Sequence, residues 1–266
     1  MNDIFAAAIL GLVQGLTEFL PVSSTAHLIL AQQALGLDAD RFGLSFDVAL
    51  HLGTALAVLL YFARTWLRLL QDLMHGRWLM PALVIVGTIP AAVLGVLLQS
   101  KVETTLRSPW FIVLGLVTGS VIFVLAERAA TQRREIGALR WSDAAIMGVA
   151  QAIALLPGIS RSGITISAGL FRDLTREEAT RFSFLLATPV ILGAGVKTLL
   201  DARKAEVLFN EPIVLAVGFT VSFVAGLAAV AFLLRFLRAH SLNWFVAYRL
   251  ALAAAVAVTL LLGFTV

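Results

Sequence analysis

Apolar residues run in long blocks along this chain of 266 residues, and short polar stretches separate the blocks. A membrane-spanning helix needs about 20 consecutive, mostly apolar residues. Eight blocks have roughly that length, at 4–22, 44–63, 78–100, 110–126, 144–160, 182–200, 212–234 and 241–266. The pattern therefore predicts an all-α polytopic membrane protein.

Two of these blocks differ from the others, because each runs into a proline and then a cluster of small polar residues. The clusters are 21–25 (PVSST) and 157–163 (PGISRSG). Non-helical backbone at membrane depth is tolerated only where protein or a watery cavity covers it. We expect each of these two blocks to form a re-entrant helical hairpin, which enters and leaves the membrane on one side. The remaining blocks are then six transmembrane helices.

The second half of the chain repeats landmarks of the first half in the same order. The pairs are Gly11 and Gly148, Gln14 and Gln151, Pro21 and Pro157, Ser24 and Ser160, Phe46 and Phe182, Gly87 and Gly218, and Trp110 and Trp244. This spacing predicts a duplication within a single membrane domain, 1–266, with repeat 1 at about 1–130 and repeat 2 at about 140–266. Each repeat holds one hairpin and three spans, and since three is odd, the second repeat must be inverted. Inverted-topology repeats place a binding site near the midplane, where broken helices meet.

Composition and charge agree with a membrane protein. Apolar residues make up 60% of the chain and charged residues 14%, with a mean hydropathy of +0.94, whereas a soluble domain is about one-quarter charged. The basic residues do not cluster on one polar face, so no nucleic-acid partner is expected. The chain has no cysteine, which excludes disulfides, thiolate metal sites and a cysteine nucleophile.

Lysine and arginine in short loops predict the orientation, because cytoplasmic loops carry an excess of them. One predicted face carries Arg64, Arg68, Arg77, Arg128, Arg133, Arg134, Arg140, Arg172, Arg176, Arg181, Arg235 and Arg238, and the other carries Arg41, Lys101, Arg107, Arg203 and Lys204. The first face is predicted to be cytoplasmic. Both termini and the opening of the first hairpin then lie on the outer side.

The first hairpin carries charged and hydroxyl side chains that are costly inside a membrane and are therefore candidates for function. Gln14 and Glu18 are four residues apart on one helix face, and a carboxylate beside an amide suits a divalent metal or proton handling. The alternative is a polar pair that joins helices. Ser23, Ser24 and Thr25 follow a proline in an N-cap pattern, and a helix N-terminus attracts anions.

His27 lies three residues after Ser24, on the same face of that first turn. A serine needs an adjacent base to become a nucleophile, and His27 is the candidate base; the alternative is that the hydroxyls only cap the helix. Asp47 and His51, four residues apart on the next span, either extend this polar pocket or stabilise it.

The second hairpin again begins a helix with hydroxyl groups, and here an arginine accompanies them. The candidate phosphate contacts are Ser160, Arg161, Ser162, Gly163 and Thr165. A guanidinium is always charged and binds phosphate with two hydrogen bonds. Lys197 and Arg249 are predicted to snorkel to the interface or to pair with other groups.

Two long motifs resemble those of the undecaprenyl-diphosphate phosphatases of the bacitracin-resistance (BacA) type. The first is residues 14–27, QGLTEFLPVSSTAH, and the second is residues 157–165, PGISRSGIT. Residues 182–187, FSFLLA, also match the pattern of that family. The resemblance covers essentially the whole chain.

The resemblance implies removal of one phosphate from undecaprenyl diphosphate, a polyprenyl diphosphate lipid, at the outer side of the bacterial inner membrane, which recycles the cell-wall carrier lipid. It implies a divalent cation, Mg²⁺ or Ca²⁺, with Glu18 as the essential carboxylate and Gln14 at the first position of the acidic motif. It also implies Ser24 as the nucleophile or phosphate contact, with Thr25 as its neighbour. His27 would be the acid or base, and Arg161 the diphosphate clamp.

A second function class stays open at this point, since inverted repeats with midplane hairpins are also transporter architecture. A lipid-phosphate transporter or flippase would use the same site. The clustered serine, histidine, arginine and glutamate favour chemistry, because transport requires binding but no nucleophile. The sequence does not decide between direct attack by water and a phosphoserine, nor between a monomer and a homodimer.

Overall fold

A computed structural model describes residues 2–98, 108–200 and 211–263 of the chain. Within these ranges the regular secondary structure is helical, and an isolated parallel bridge joins Arg134 to Leu174. Some of the predictions fall outside the described residues: the outer-face cations Lys101, Arg107, Arg203 and Lys204, and the last residues of two apolar blocks.

The helices agree with the apolar blocks, with four additions. In the first half they are α1 (Asp3–Phe19), α2 (Ser24–Ala34), α3 (Ala39–Phe42), α4 (Leu44–Tyr61), α5 (Ala63–Met74), α6 (Leu79–Leu97) and α7 (Pro109–Ala129). In the second half, after a 3₁₀ turn at Ile136–Ala138, they are α8 (Trp141–Ile153), α9 (Arg161–Phe171), α10 (Arg176–Leu200), α11 (Pro212–Ala239) and α12 (Asn243–Leu261). The additions are α2 and α9, which follow the two breaks, and α3 and α5. Helix α5 was not predicted, because its arginines interrupt every apolar run.

Several of these helices can cross a bilayer. Helices α6, α7, α10, α11 and α12 are each long and apolar enough, and α4 and α5 qualify together although the chain bends by 71° between them. The described residues therefore hold five candidate spans, or six with the bent pair. A multi-pass, all-α membrane protein is confirmed.

The distribution of side chains suits a hydrocarbon solvent. Ile85, Leu114 and Val224 project from three of the spans, and each is more than half exposed. Hydroxyl groups such as those of Ser120 and Ser222 are buried instead. Polar side chains inside a membrane face the interior of the helix bundle, where other protein groups satisfy them.

Both predicted breaks are present in the helices. Helix α1 ends at Phe19 before α2 begins at Ser24, and α8 ends at Ile153 before α9 begins at Arg161. The N-cap residues Ser23 and Ser160 have positive φ angles of 76° and 77°. Non-glycine residues rarely adopt this conformation, and such strain concentrates at functional sites.

The first helix of each broken pair crosses a neighbouring helix closely. Helix α1 packs along α11, and α8 packs along α6. A Cβ atom on Gly11 would lie 2.6 Å from the carbonyl oxygen of Gly218, and one on Gly148 would lie 2.5 Å from that of Gly87. Helix α11 also packs on α4, α12 packs on α7, and α9 contacts α7, α8 and α10.

Candidate active site

Glu18 is the side chain at which the two breaks meet. It lies in the last turn of α1 and is 5% exposed. The Ser24 hydroxyl donates to Glu18 Oε2 over 2.6 Å, and Gln14 Nε2 donates to the same oxygen over 3.0 Å. Arg161, the first residue of α9, forms an ion pair with Glu18 Oε1. A hydroxyl from one break and a guanidinium from the other thus share one carboxylate.

A second contact joins the two breaks directly. Ser162 Oγ donates to the carbonyl oxygen of Leu20 over 3.2 Å. Ser160 Oγ lies 3.3 Å from Ser162 Oγ and accepts from the backbone N–H of Gly163, also over 3.3 Å. Ser160 therefore caps α9, as its position in the sequence predicts.

A cavity of about 530 Å³ opens beside Glu18, between α4, α6, α10 and the two breaks. Its polar end includes Ser23, Ser24, Thr25, Ser160 and Arg161. Its walls are mainly apolar and come from α6 and α10: Ala91, Ala92, Gly95, Val96, Val190, Ile191, Gly193 and Ala194. A pocket with a few convergent polar groups and apolar walls suits an amphiphilic ligand.

Not all of the predicted substrate contacts reach this cavity. Ser162 is turned to Leu20, and Gly163 packs so closely against Phe123 that a Cβ atom would overlap the phenyl ring. Thr165 Oγ1 contacts the Arg161 carbonyl at 2.7 Å and the Ser183 hydroxyl at 2.5 Å. None of these three residues lines the cavity; their contacts are with protein groups around the second break. The predicted role of Ser162, Gly163 and Thr165 in substrate binding stays a prediction.

The structure does not bring His27 together with Ser24. The Nδ1 atom of His27 lies 2.8 Å from the Ser23 carbonyl, and Nε2 lies 2.6 Å from the hydroxyl of Tyr248 on α12. The two rings also stack, with centroids 5.6 Å apart. His27 does not line the cavity described above, and Glu18 is the group that accepts from Ser24.

His51 is the histidine in the cavity. Its Nδ1 atom lies 2.7 Å from the carbonyl oxygen of Asp47, so that nitrogen carries a proton. The other ring nitrogen, Nε2, lies 3.4 Å from Glu18 Oε2. Of the two alternatives left open for Asp47 and His51, extension of the polar pocket agrees with their place in its lining.

Two buried glutamines have amide atoms that lack hydrogen-bond partners among the described residues. One is Gln14, whose Oε1 atom is unpaired beside Glu18. The other is Gln151, which lines the cavity and is 2% exposed, with both amide atoms unpaired. In the sequence, Gln151 pairs with Gln14 as a repeat landmark, but only Gln14 is among the predicted site residues.

The oxygen of Gln14 bears on the predicted cation. No group of three or more His, Cys, Asp or Glu side chains within the described ranges could hold a metal ion. Gln14 donates its Nε2 to Glu18 and has an unpaired Oε1, so a flip of this amide would place an oxygen beside the carboxylate. Mg²⁺ is commonly held by one or two protein oxygen ligands together with substrate phosphates and water, and these two residues fit that arrangement.

Arg249 is a residue whose place the sequence did not predict. Its side chain is fully buried (0% exposed), so it does not snorkel to the interface. It contacts the backbone of both breaks, at Pro21 and Gly158. The adjacent residue, Tyr248, holds His27. The only feature of the sequence that pointed to Arg249 was the presence of an arginine within the apolar block 241–266.

Comparison with known proteins identifies the family. Residues 7–255 match the family model described as "Bacitracin resistance protein BacA". The chain belongs to this family of multi-pass membrane proteins.

Curated relatives align over nearly the whole chain. A protein of Rubrobacter xylanophilus named "Undecaprenyl-diphosphatase" is 46% identical over 272 residues, covering 98% of this chain and 100% of its own length. Proteins with the same name from Desulforudis audaxviator (46% over 263 residues, 97% of this chain and 98% of the relative) and Mycolicibacterium smegmatis (43% over 259 residues, 93% of each) are similar as well.

Proposed function

We propose that this chain is a membrane phosphatase that hydrolyses undecaprenyl diphosphate to undecaprenyl phosphate and inorganic phosphate. The observation that carries the proposal is the junction at Glu18, where the Ser24 hydroxyl and the Arg161 guanidinium meet. The printed name of the relatives supports the substrate. The apolar walls of the adjoining cavity support a ligand with a lipid tail.

The reaction begins with Ser24 as the nucleophile. Its Oγ atom attacks the terminal phosphorus while its proton moves to Glu18, the acceptor 2.6 Å away. The Oγ–P bond forms, the bond from phosphorus to the bridging oxygen breaks, and undecaprenyl phosphate leaves. Water then hydrolyses the phosphoserine to release phosphate. This assignment moves the base from His27, which the sequence suggested, to Glu18.

Arg161 neutralises charge on the transferred phosphoryl group, which is the dominant requirement in such reactions. Its guanidinium carries five donors in a planar fork, so it can contact a phosphate while it remains near Glu18. The first turns of α2 and α9 begin beside the same cavity. Their free backbone N–H groups favour an anion there.

A divalent cation, Mg²⁺ or Ca²⁺, belongs to the proposal. Glu18 and Gln14 would hold it, since Gln14 Oε1 is a buried acceptor without a partner in the described part of the chain. When bound, such a cation supplies positive charge to phosphate oxygens. The residues themselves bind the headgroup and move the proton as described above.

Direct attack by water is the alternative to a phosphoserine. Acid quenching of the enzyme during turnover of a substrate labelled at the terminal phosphate distinguishes the two routes. The serine route predicts label on Ser24 in the wild type and none in Ser24→Ala. A Ser24→Ala enzyme that keeps wild-type turnover rejects the covalent route.

Ion pairs at the ends of the broken helices support re-entrant hairpins. Arg41, which follows α2, pairs with Asp3 at the start of α1 over 2.7 Å. Arg172, directly after α9, pairs with Asp143 in the first turn of α8, also over 2.7 Å. Such pairs are expected if each hairpin begins and ends at one end of the bundle.

Helix α11 supports the inversion of the second repeat. Arg41, at the base of the first hairpin, also pairs with Glu211 just before α11 begins. At the other end of α11, Arg238 pairs with Glu177, which lies in the first turn of α10, shortly after the second hairpin. The two hairpin bases lie at opposite ends of one helix, as an inverted duplication of about 1–130 and 140–266 requires.

The distribution of arginines between the two ends of the bundle supports the proposed orientation. The ion pairs of Arg134, Arg172, Arg176 and Arg238 lie on the arginine-rich side. If that side is cytoplasmic, the first hairpin and the N-terminus face the outer side of the bacterial inner membrane.

Phosphate release from undecaprenyl diphosphate by the purified protein in detergent tests the proposed function. Detergent micelles leave no two compartments, so transport alone releases no phosphate. We expect release by the wild type and a loss of about 100-fold or more in Arg161→Ala and Glu18→Ala. A folded wild-type protein without phosphatase activity would contradict the proposal.

A further inference from the structure

Arg249, on α12, carries a charge buried among neutral groups. Its contacts are Ser120 Oγ at 3.1 Å, the carbonyl oxygens of Pro21 (3.3 Å), Gly115 (3.2 Å), Leu116 (3.0 Å) and Gly158 (2.9 Å), and the face of the Phe123 ring, 4.7 Å from its centroid. No carboxylate of the described residues is paired with it. A buried cation is costly unless hydrogen bonds satisfy all of it, so this placement requires the full set of acceptors.

Two of these acceptors belong to the two breaks. The carbonyl of Pro21 lies three residues before Ser24, and that of Gly158 lies three residues before Arg161. Ser24 and Arg161 are the residues that meet at Glu18. One guanidinium therefore contacts both breaks, in each case three residues before the first residue of the helix that follows.

The remaining acceptors belong to α7, which fixes the guanidinium in place. The carbonyls of Gly115 and Leu116 and the hydroxyl of Ser120 all accept from it. A Cβ atom on Gly119 would overlap the guanidinium. The guanidinium of Arg249 thus occupies a space on α7 that is open only because residue 119 is a glycine.

We propose that Arg249 is a positioning residue, which holds the two breaks in register so that Ser24 and Arg161 act on the same phosphate. The inference rests on the proposed function, in which those two side chains must reach one phosphorus atom. Arg249 does not line the cavity, so it acts through the backbone of the breaks rather than on the substrate.

An arginine is required here because of its geometry. A guanidinium has five donors in a rigid plane, whereas an ammonium is a compact charge with three. Lysine can keep the charge but cannot contact Pro21, Gly158 and α7 together. A methionine keeps much of the volume and loses both the charge and the donors.

The test compares Arg249→Lys and Arg249→Met with the wild type and with Arg235→Met, a change at an exposed arginine on α11. Turnover is measured as phosphate release, and folding as the melting temperature in detergent. We expect kcat to fall by about 100-fold in Arg249→Met, because small misplacements of reacting groups have effects of that size. KM should change little, and Arg249→Lys should recover part of kcat.

The rate of cross-linking between two introduced cysteines is a measurement independent of activity, and it is possible because the chain has no native cysteine. Leu20→Cys and Ser162→Cys place a thiol on each of two residues that are in contact, Leu20 through its backbone carbonyl and Ser162 through its side chain. A short bifunctional thiol reagent should link the pair efficiently with Arg249 present, and several-fold more slowly with Arg249→Met. Arg235→Met should leave the linking rate unchanged.

A folded Arg249→Met enzyme with wild-type kcat and linking rate would overturn the inference. If Arg249→Met does not fold, Arg249→Lys decides in the same way, since wild-type kcat and linking in that variant also overturn it. A wild-type protein that releases no phosphate refutes the proposed function but not the inference about Arg249. The linking rates then still report whether Arg249 holds the breaks together.

Discussion

The carboxylate of Glu18 receives donors from three directions. Ser24 and Gln14 donate to Oε2, and Arg161 pairs with Oε1. A carboxylate buried in this way remains charged only because such donors replace water. Its proposed task as the base for Ser24 therefore depends on the same contacts that make its burial tolerable.

Glu18→Gln tests the proposed base with the least change in shape. The amide is close in size to the carboxylate but cannot accept the Ser24 proton, so we expect kcat to fall by about 100-fold or more. Phosphate release measures the effect, and His27→Gln is the comparison. A loss confined to His27→Gln, with Glu18→Gln active, would return the role of base to the histidine.

The unpaired amide of Gln151 leads to a second prediction at the scale of the residue. A buried amide without partners costs about 1–3 kcal/mol, so Gln151→Leu should leave the melting temperature unchanged or raise it. Since this amide lines the cavity, the same change should raise KM by about 10-fold through the loss of a hydrogen bond to a charged phosphate. Gln14→Leu is the matched control, and there we expect lower stability because Gln14 bonds to Glu18. An unchanged KM in Gln151→Leu would exclude substrate contact.

At the scale of elements, glycines determine how closely the broken helices approach their neighbours. A Cβ atom on Gly148 of α8 would lie 2.5 Å from the Gly87 carbonyl oxygen and 2.9 Å from its Cα. Both are backbone atoms of α6, which cannot turn away as a side chain can. The two helices would have to separate.

Gly148→Ala should therefore lower stability by about 1–3 kcal/mol, the usual effect of overpacking. Thermal unfolding in detergent measures the loss. Gly137→Ala is the control, since no atom lies within 4 Å of a Cβ at that position. Equal melting temperatures for the two variants would mean that α6 and α8 can separate without loss.

The helices and their breaks were predictable because hydropathy and proline act locally. The apolar blocks predicted the ends of the spans to within about six residues, and Pro21 and Pro157 marked the interruptions. Helix α5 was missed, because arginines at helical spacing hide its apolar side from a search for continuous runs. From the repeat we expected Glu18, Ser24 and His27 to meet Arg161; Glu18, Ser24 and Arg161 do meet, and His27 does not.

Other contacts across the bundle were not predicted from the sequence. Ser24 and His27 share a helical spacing, yet the histidine turns to Tyr248, more than two hundred residues away. Arg249 could not be distinguished from a snorkelling residue without knowing that α7 and both breaks surround it. Spacing along one helix gives neighbours on that helix, and packing between helices selects the partners.

At the scale of the molecule, a cluster of ion pairs joins the segment between the two repeats to the second repeat. Asp143 is fully buried and accepts from Arg134 (2.6 Å), Arg172 (2.7 Å) and the backbone N–H of Arg140 (2.8 Å). Burial alone would raise the pKa of this carboxyl, but the hydrogen bonds outweigh it and lower the pKa from 3.8 to about 2. The segment between α7 and α8 is held against the second hairpin in this way.

The lowered pKa predicts how stability depends on pH. The carboxylate of Asp143 contributes roughly 2 kcal/mol above about pH 4, and the contribution is lost as pH falls towards 2. The melting temperature should therefore fall over that interval in the wild type. In Asp143→Asn it should start lower and fall less. Asp72→Asn, which removes a more exposed pair with Arg77, should follow the wild type.

Thiol labelling tests the proposed topology of the whole molecule, since each introduced cysteine is unique in this chain. Asn2 precedes α1 and Ala34 ends α2. If α1 and α2 form a re-entrant hairpin, Asn2→Cys and Ala34→Cys react with a membrane-impermeant reagent from the same side. The excess of arginine around the 3₁₀ turn predicts the opposite side for Gly137→Cys. In cells whose outer layers have been removed but whose inner membrane is intact, Asn2→Cys and Ala34→Cys should react at once. Gly137→Cys should react only after the membrane is permeabilised. Labelling of Asn2→Cys and Ala34→Cys from opposite sides would mean that the first hairpin crosses the membrane, and its tip could then not meet the second break from the outer face.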